Sequence, residues 1–304
     1  MAKGFINRSV EEYGPKQYLL RPWMRHPSLT LLYAPYGHMK SYFSLLLGYC
    51  ISRNMPFLGF PGGLNEESAG RSVLYFDGEL GEEDIHYRCN EIKTGFPSTI
   101  GREYLYIQTP QDCGGFMWNL ADPEHQALYT ELCKEDEVII IDNILTCSGP
   151  LTARDDDVQQ WRRIQRWAVE RKNAGQSVIF VHHAGKSGQQ LGTSQRENIM
   201  DHIINIKRIP MGYDEKHDNF AIRFDKLRGY FGPERHGMYA RASIASGALK
   251  IEHSPLDDIL APLVQNLYED LGKWHLVAAE LDIPMTELGR IKKLTQPQKF
   301  SINW

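Results

Sequence analysis

The chain has 304 residues, of which 42% are hydrophobic and 24% are charged. These proportions are ordinary for a globular protein, and the length allows one large hydrophobic core, alone or with a small appended unit. The net charge of −4 gives no general attraction for nucleic acid, so any such binding must depend on a local basic patch. The five cysteines include no C-x-x-C pair, which argues against a zinc site and a disulfide framework.

The amino-terminal stretch MAKGFINRSVEEYG lacks the apolar region of a signal peptide. No later segment is apolar over the length that is needed to cross a bilayer. Unpaired cysteines are typical of a reducing compartment. We therefore expect a cytoplasmic protein that has no membrane partner.

Strand-like and helix-like segments alternate in the first two thirds of the chain. After a polar lead-in, SLTLLYA (28–34) predicts a strand, and residues 40–53 predict an amphipathic helix. Four more strands are predicted at 71–79, 103–108, 136–143 and 177–183, with helices at 81–95, 123–135 and 155–175. This alternation indicates an α/β fold with a mostly parallel sheet, in which ligands bind at the carboxyl ends of the strands.

The pattern changes after Lys186. Residues 202–209, 220–227, 237–244 and 248–253 alternate in hydrophobicity as antiparallel strands do. From Pro255 onward the apolar spacing is helical and predicts two or three short helices with a break at Ile283–Pro284. The sequence thus predicts an α/β domain over residues 1–254 and a small unit like a helix-turn-helix over residues 255–304.

The loop APYGHMKS (34–41) has the layout of a phosphate-binding site, because it joins a strand to a helix that starts with a Lys-Ser pair. Such a loop binds an anion through successive backbone N–H groups at a helix N-terminus, where the helix dipole also favours negative charge. The usual pattern G-x-x-x-x-G-K-[ST] has glycines where this chain has Ala34 and Met39. By itself the segment could equally open an ordinary helix.

Polar residues at the ends of the predicted strands supply the remaining parts of such a site. Lys40 would reach the β- and γ-phosphates, and the Ser41 hydroxyl would ligate Mg²⁺. Asp142 ends a β-branched strand in the manner of a Walker B carboxylate, although an Asp at a strand end is common in α/β proteins. Glu79 could polarise a water for attack on the γ-phosphate. The alternatives are that Glu79 only caps a helix, or that Asp77 has this role.

Two adjacent histidines, His182 and His183, end the strand SVIFVHH and precede a Gly-Lys pair and a glycine-rich stretch. A lone histidine after a strand is more often structural than functional. The tandem pair favours a histidine that hydrogen-bonds the γ-phosphate or the attacking water and so reports the nucleotide state.

In this order, APYGHMKS, VLYFDGE, VIIIDN, VIFVHHAGKSG, GTSQRENIMD and FDKLRGYFG resemble the RepA-type ATPases of the RecA superfamily, which include a plasmid hexameric replicative helicase and phage and mobile-element relatives. The resemblance spans residues 22–232. It implies a RecA-like P-loop NTPase core whose sheet gains antiparallel strands after the sensor strand, followed by a small C-terminal helical unit.

The resemblance also implies roles for single residues. Glu79 would be the catalytic carboxylate, Asp142 the Walker B acid, and His182 or His183 the sensor. Ser41 and Asp142 would bind the Mg²⁺ ion. Besides Asp142, the expected ATP-binding residues are those of the loop and the start of the helix: Pro35, Tyr36, Gly37, His38, Met39, Lys40, Ser41 and Tyr42.

In RecA-superfamily rings a basic pair on a late strand reaches the nucleotide of the neighbouring subunit. Lys226 and Arg228 match that pair, with Arg208 as a second candidate. Such an arginine stabilises charge on the transferring phosphoryl group. The resemblance therefore implies a homo-oligomeric ring, with a hexamer favoured. Two departures are Met39 in the loop and Leu191, which stands where relatives often carry arginine; the unbranched Met39 side chain can point away from the anion.

Single-stranded DNA would thread such a ring, and by analogy with the family Lys186 and Arg196 would lie on a pore-facing loop. The alternative is that this segment is a flexible surface loop. Two functional classes remain open. One is a DNA-stimulated ring ATPase, a replicative helicase or helicase-like ATPase of a plasmid, phage or mobile element. The other is an ATP-dependent switch or loader that controls assembly with a replication or recombination partner. An α/β protein that binds no nucleotide would require the polar strand ends to coincide by chance.

Overall fold

The computed structural model describes residues 14–65, 68–100, 104–149, 157–185, 195–209 and 217–295. A small antiparallel ribbon of β1 (Gln17–Leu20) and β2 (Met24–His26) comes first, in a segment that the sequence patterns describe only as a polar lead-in. The main sheet contains β3 (Leu29–Ala34), β4 (Val73–Asp77), β5 (Leu105–Gln108), β6 (Val138–Asp142), β7 (Ser177–His183), β8 (His202–Arg208), β9 (Asp218–Leu227), β10 (Met238–Ala245) and β11 (Ala248–Pro255).

Helices connect the parallel strands and continue after the sheet. Their bounds are α1 (Lys40–Ser52), α2 (Glu82–Gly95), α3 (Pro123–Leu132), α4 (Ile144–Cys147), α5 (Asp157–Asn173), α6 (Gln195–Asn198), α7 (Leu256–Leu271), α8 (Trp274–Glu280) and α9 (Met285–Thr295). None of the helices in the described ranges is long and apolar enough to cross a membrane.

The main sheet, as far as the described residues show it, has the order β11-β10-β9-β8-β3-β7-β6-β4-β5. The strands from β8 to β5 in this order are parallel, and β9, β10 and β11 are antiparallel additions at one side. This arrangement confirms the predicted α/β architecture. One detail of the prediction is wrong: the alternating pattern predicts an antiparallel strand over residues 202–209, whereas β8 pairs parallel with β3. Alternating hydrophobicity shows that a strand has two faces, and it does not show the direction of the partner strand.

Both faces of the parallel strands are covered, so β3, β4, β6 and β7 are buried along their whole lengths. One hydrophobic core lies between the sheet and α1, and a second core lies on the face covered by α5. Helix α1 lies very close to the sheet: a Cβ atom at Gly48 would stand 2.9 Å from Cδ1 of Ile140. Because α1 packs so closely on the sheet, its first residue, Lys40, is held in position relative to the end of β6.

The last three helices share a third hydrophobic cluster. It includes Leu260 of α7 and Ile291 of α9, together with Ile209 and Tyr239 from the sheet side. The predicted break at 283–284 falls between α8 and α9, and the predicted boundary at 254/255 falls one residue before α7 begins. Because this cluster joins the helices to the sheet, the separate domain over residues 255–304 stays a prediction.

Candidate functional site

The loop between β3 and α1 has the backbone conformation that glycine usually supplies. Gly37 has φ of 75°, and Met39, the N-cap residue of α1, has φ of 54° and ψ of 22°. A residue with a Cβ atom pays about 1–2 kcal/mol for this left-handed conformation, which is the physical reason for a glycine at this position. The Met39 side chain is half-buried and packs against the core beneath the loop. Helix α1 has no side-chain cap and no acidic residue in its first turn, so its first N–H groups suit an anion.

Lys40 and Glu79 contact each other at the mouth of this loop. Lys40 is the first residue of α1 and is buried, and its Nζ lies 3.4 Å from Oε2 of Glu79, which follows β4. The ring of Tyr36 lies 6.0 Å from the same Nζ atom. The two charged groups that the sequence assigned to phosphate binding and to catalysis therefore meet in one place.

The Oε2 atom of Glu79 also meets residues from the two central strands. Asn143, just after β6, places Nδ2 2.8 Å from this oxygen, and His183, the last residue of β7, places Nε2 3.8 Å from it. The exposed ring of Tyr36 stacks on the His183 ring, with centroids 3.9 Å apart and planes 21° apart. Burial and the charge of Lys40 lower the pKa of His183, against the opposing effect of Glu79, so the ring is neutral near pH 7.

Asp77 has a different position and different contacts from Glu79. It is buried, and its Oδ1 accepts hydrogen bonds from the backbone N–H groups of Glu79 at 2.9 Å and of Leu80 at 2.8 Å. Burial raises its pKa to about 6. Asp77 shapes the turn that aims Glu79, and this geometry favours Glu79 as the catalytic carboxylate.

Asp142 ends β6 directly below α1 and is 1% exposed. Its Oδ2 accepts hydrogen bonds from the Tyr75 hydroxyl at 2.6 Å and the Ser44 hydroxyl at 3.3 Å. Its Oδ1 is buried and has no hydrogen-bond partner within the described ranges. Burial raises the pKa of Asp142, and the Tyr75 hydrogen bond and the Lys40 charge oppose that rise.

The donor set around Asp142 fits Mg²⁺. The orphaned carboxylate oxygen and the hydroxyl of Ser41 are hard ligands, and Mg²⁺ typically takes only one or two protein groups together with substrate phosphates. No cluster of three or more His, Cys, Asp or Glu side chains able to hold a metal occurs among the residues described. A cation at this place would offset the cost of burying an ionised Asp142.

The two tandem histidines point to opposite faces of β7, because side chains alternate along a strand. His183 faces Glu79, whereas His182 is fully buried with Nε2 2.6 Å from Nη1 of Arg196. Arg196, on α6, also pairs with Asp157 at the start of α5. Arg196 is 2% exposed, which is not the exposed position expected of a pore-facing residue; Lys186 lies outside the described residues.

The remaining loop residues have mixed surroundings. His38 accepts a hydrogen bond at Nδ1 from the backbone N–H of Arg208 at 3.1 Å, and Nη2 of Arg208 lies 3.4 Å from the Gly37 carbonyl oxygen. Arg208 therefore lies beside the loop of its own chain. Tyr42 turns to α2, where its hydroxyl donates to Glu91 at 2.7 Å. The polar atom of Tyr42, a predicted nucleotide-binding residue, is therefore engaged away from the loop.

Lys226 and Arg228 lie at the end of the strands that is opposite the phosphate loop. Strand β9 runs antiparallel to β8, so Phe220 lies opposite Arg208 at the end near the loop. Leu227 lies opposite His202 at the other end of the two strands. Lys226 donates from Nζ to the Glu197 carbonyl oxygen at 2.9 Å, and the exposed Arg228 has Nε 3.6 Å from Oδ1 of Asp201. The geometry keeps this basic pair away from the phosphate loop of its own chain.

Sequence reasoning missed Asn143 and Tyr75. Asn143 directly follows Asp142 and has a threonine three positions later, which is a capping signal for a helix of only four residues. Tyr75 sits in a run of apolar residues, where a hydroxyl is easily counted as core. Pattern alone gave these two residues no functional weight.

Comparison with known proteins identifies the class. Residues 5–189 match the AAA domain family AAA_25, and the chain belongs to that family. Together with the sheet order and the loop geometry, this match defines a P-loop NTPase of the RecA superfamily.

Two solved structures are similar to this chain. A KaiC-like protein from the hyperthermophilic archaeon Pyrococcus horikoshii OT3 superposes with a TM-score of 0.52 at 12% identity, covering 77% of this chain and 93% of that chain. The flagellar accessory protein FlaH from Methanocaldococcus jannaschii has a TM-score of 0.49 at 14% identity, covering 75% of this chain and 90% of that chain. No curated protein sequence matches the chain. The first likeness confirms the RecA-like fold and carries no information about substrate or partner.

Proposed function

We propose that this protein hydrolyses ATP with Mg²⁺ as a homo-oligomeric ring, with a hexamer favoured, and acts on single-stranded DNA. The carrying observation is the convergence on one oxygen of Glu79: Lys40, Asn143 and His183 all place a nitrogen within 3.8 Å of Oε2. A general base for water attack is expected beside the phosphate-binding lysine, and the 3.4 Å contact between Glu79 and Lys40 supports these two roles.

The residues around the loop divide the chemistry between them. The N–H groups at the start of α1 and the Lys40 ammonium would hold the β- and γ-phosphates. Ser41 and Asp142 would hold Mg²⁺, which neutralises charge on the phosphate oxygens when it is bound. Glu79 would orient the attacking water and accept its proton, and neutral His183 would contact the water or the γ-phosphate.

A bound triphosphate would break the contact between Lys40 and Glu79. A triphosphate carries several negative charges and attracts the Lys40 ammonium more strongly than a single carboxylate does. Movement of Lys40 onto the phosphates would separate it from Glu79, whose carboxylate is then available to water. The base would thus become free at the moment when the substrate arrives.

Assembly is supported by the position of the basic pair. Lys226 and Arg228 lie at the end of the strands that is opposite the phosphate loop, so they can complete a nucleotide site only on another subunit. An arginine supplied by a neighbour stabilises charge in the transition state of phosphoryl transfer. This placement makes hydrolysis depend on the ring.

The finer assignment, a RepA-type replicative helicase or helicase-like ATPase of a plasmid, phage or mobile element, is supported by the order of the sequence motifs. In this assignment residues 1–254 form the ATPase domain, and residues 255–304 form a helical unit that contacts DNA or another replication protein. The second candidate is an ATP-dependent switch or loader without unwinding. Burial of Arg196 favours this second candidate, because it removes one of two basic side chains expected to face DNA.

One experiment separates these functions. ATP hydrolysis is measured with and without single-stranded DNA, and the mass of the protein is measured without nucleotide, with ADP and with a non-hydrolysed ATP analogue. A helicase predicts hydrolysis that rises strongly with DNA, together with directional strand displacement. A switch predicts nucleotide-dependent assembly and slow hydrolysis that DNA does not change. Absence of hydrolysis above a Lys40→Ala control under all conditions would refute the ATPase proposal.

A further inference from the structure

Asn143 has its side-chain carbonyl committed to the backbone. The residue is fully buried between β6 and α4. Its Oδ1 accepts hydrogen bonds from the N–H groups of Leu145 at 3.0 Å and of Thr146 at 3.2 Å, and Oγ1 of Thr146 accepts one in return from the Asn143 N–H at 3.3 Å. This reciprocal cap starts α4 and leaves one orientation for the amide group, because the opposite one would turn an NH₂ group onto two N–H donors.

The other end of the amide therefore points at two functional side chains as a donor. Nδ2 of Asn143 lies 2.8 Å from Oε2 of Glu79 and 3.3 Å from Nε2 of His183. An amide nitrogen has two hydrogens and cannot accept, so one hydrogen serves each partner. Nε2 of the neutral His183 ring must then be the acceptor, and its proton is on Nδ1.

We propose, building on the ATPase function above, that Asn143 is a positioning residue that joins Glu79 and His183 into one hydrogen-bonded unit. It holds Oε2 of Glu79, so that Oε1 is the oxygen offered to water, and it fixes His183 in the Nδ1–H tautomer. The stacked ring of Tyr36 restrains the same imidazole from its exposed face. The sensor and the base thus respond to nucleotide together, through one amide group.

The substitution Asn143→Ser tests the donor without removing the cap. Its hydroxyl oxygen can still accept the N–H groups that start α4, but the side chain is too short to donate to Glu79 or His183, and it adds no charge beside Lys40. We expect kcat for ATP hydrolysis to fall about tenfold to hundredfold while KM stays within about twofold, since ground-state binding of the triphosphate is not touched.

Asn119→Ser is the matched control. Asn119 also caps a turn through Oδ1, which accepts the N–H of Ala121 at 2.9 Å, and it lies outside the site. We expect this variant to keep kcat within about twofold of the wild type. Equilibrium unfolding in urea checks both variants, and Asn143→Thr, whose hydroxyl can also cap α4 and is too short to reach Glu79, replaces Asn143→Ser if that variant does not fold.

A second readout does not depend on hydrolysis. Magic-angle-spinning NMR of ¹⁵N-histidine-labelled protein reports which ring nitrogen carries the proton, and His183→Gln identifies the signal. We expect Nδ1–H in the wild type and a gain of Nε2–H in Asn143→Ser, where Nε2 no longer faces an amide donor and Oε2 of Glu79 can accept the proton. An Nε2–H tautomer in the wild type, or unchanged kcat in folded Asn143→Ser, would overturn the proposal. Absence of ATPase activity in the wild type would refute the proposed function instead, and the NMR result would still decide the role of Asn143.

Discussion

The left-handed conformation of Met39 makes a quantitative prediction about the phosphate loop. With φ of 54° and ψ of 22°, the residue occupies the backbone region in which a Cβ atom costs about 1–2 kcal/mol. Met39→Gly removes that cost, but glycine gives back about 0.4–1 kcal/mol through the greater freedom of the unfolded chain. Both Met39→Gly and Met39→Ala lose the packing of a half-buried side chain, about 1 kcal/mol.

The packing loss cancels when the two variants are compared with each other. Met39→Ala keeps the strain, so we expect it to be about 1 kcal/mol less stable than the wild type. Met39→Gly should be more stable than Met39→Ala by the difference between strain relief and chain entropy, about 1 kcal/mol. The backbone N–H groups stay in place, so the affinity of Met39→Gly for ATP should equal or exceed that of the wild type.

Equilibrium unfolding in urea gives the free energies for the wild type and both variants. His86, exposed in the middle of α2, supplies the control pair. At that right-handed position the order should reverse, with His86→Gly about 1 kcal/mol less stable than His86→Ala. If Met39→Ala is as stable as Met39→Gly, the loop does not hold residue 39 in a left-handed conformation, and the structural reasoning about this loop fails.

Three further predictions address the site and the fold. Glu79→Gln keeps an acceptor for Asn143 but removes the base, so the protein should retain bound ATP in a filter assay while kcat falls at least about a hundredfold; normal hydrolysis would move the base to Asp77. Arg228→Ala should bind nucleotide normally yet lose turnover in assembled rings, and turnover at the wild-type rate would contradict its action on a neighbouring subunit. Burial lowers the pKa of His202 from 6.5 to about 4, so below pH 6.5 the unfolded chain takes up a proton that the folded chain refuses. The contribution of His202 to stability should therefore fall by at most about 3 kcal/mol from pH 6.5 to pH 4, and urea unfolding of His202→Gln should lack this part of the slope.

Periodic features of the chain were predictable from the sequence. Strand β7 spans the seven residues predicted for it, Ser177–His183, because a short β-branched run bounded by polar residues is typical of a buried strand. The loop before α1 was recognised despite Met39, since the Lys-Ser pair and the flanking strand and helix were present. Patterns that repeat along the chain, or that combine several residue types at fixed spacing, carried these predictions.

Features that depend on a distant partner were not predictable. The direction of β8 follows from its pairing with β3, which is far away in sequence. Arg196 belongs to a polar segment that indicates an exposed loop, yet Asp157 and His182 surround it and compensate for its burial. The choice between His182 and His183 was open because alternation places them on opposite faces without saying which face holds Glu79.

The reversal of chain direction at β9 has a consequence for mixtures of damaged subunits. If the phosphate loop of one subunit works with the arginine of the next, each junction between two subunits needs Lys40 from one side and Arg228 from the other. Lys40→Ala removes the first and Arg228→Ala removes the second. A ring of either variant alone therefore has no active junction. Equal mixing allows about one junction in four to pair an intact loop with an intact arginine, so two inactive preparations should complement each other to about a quarter of full activity.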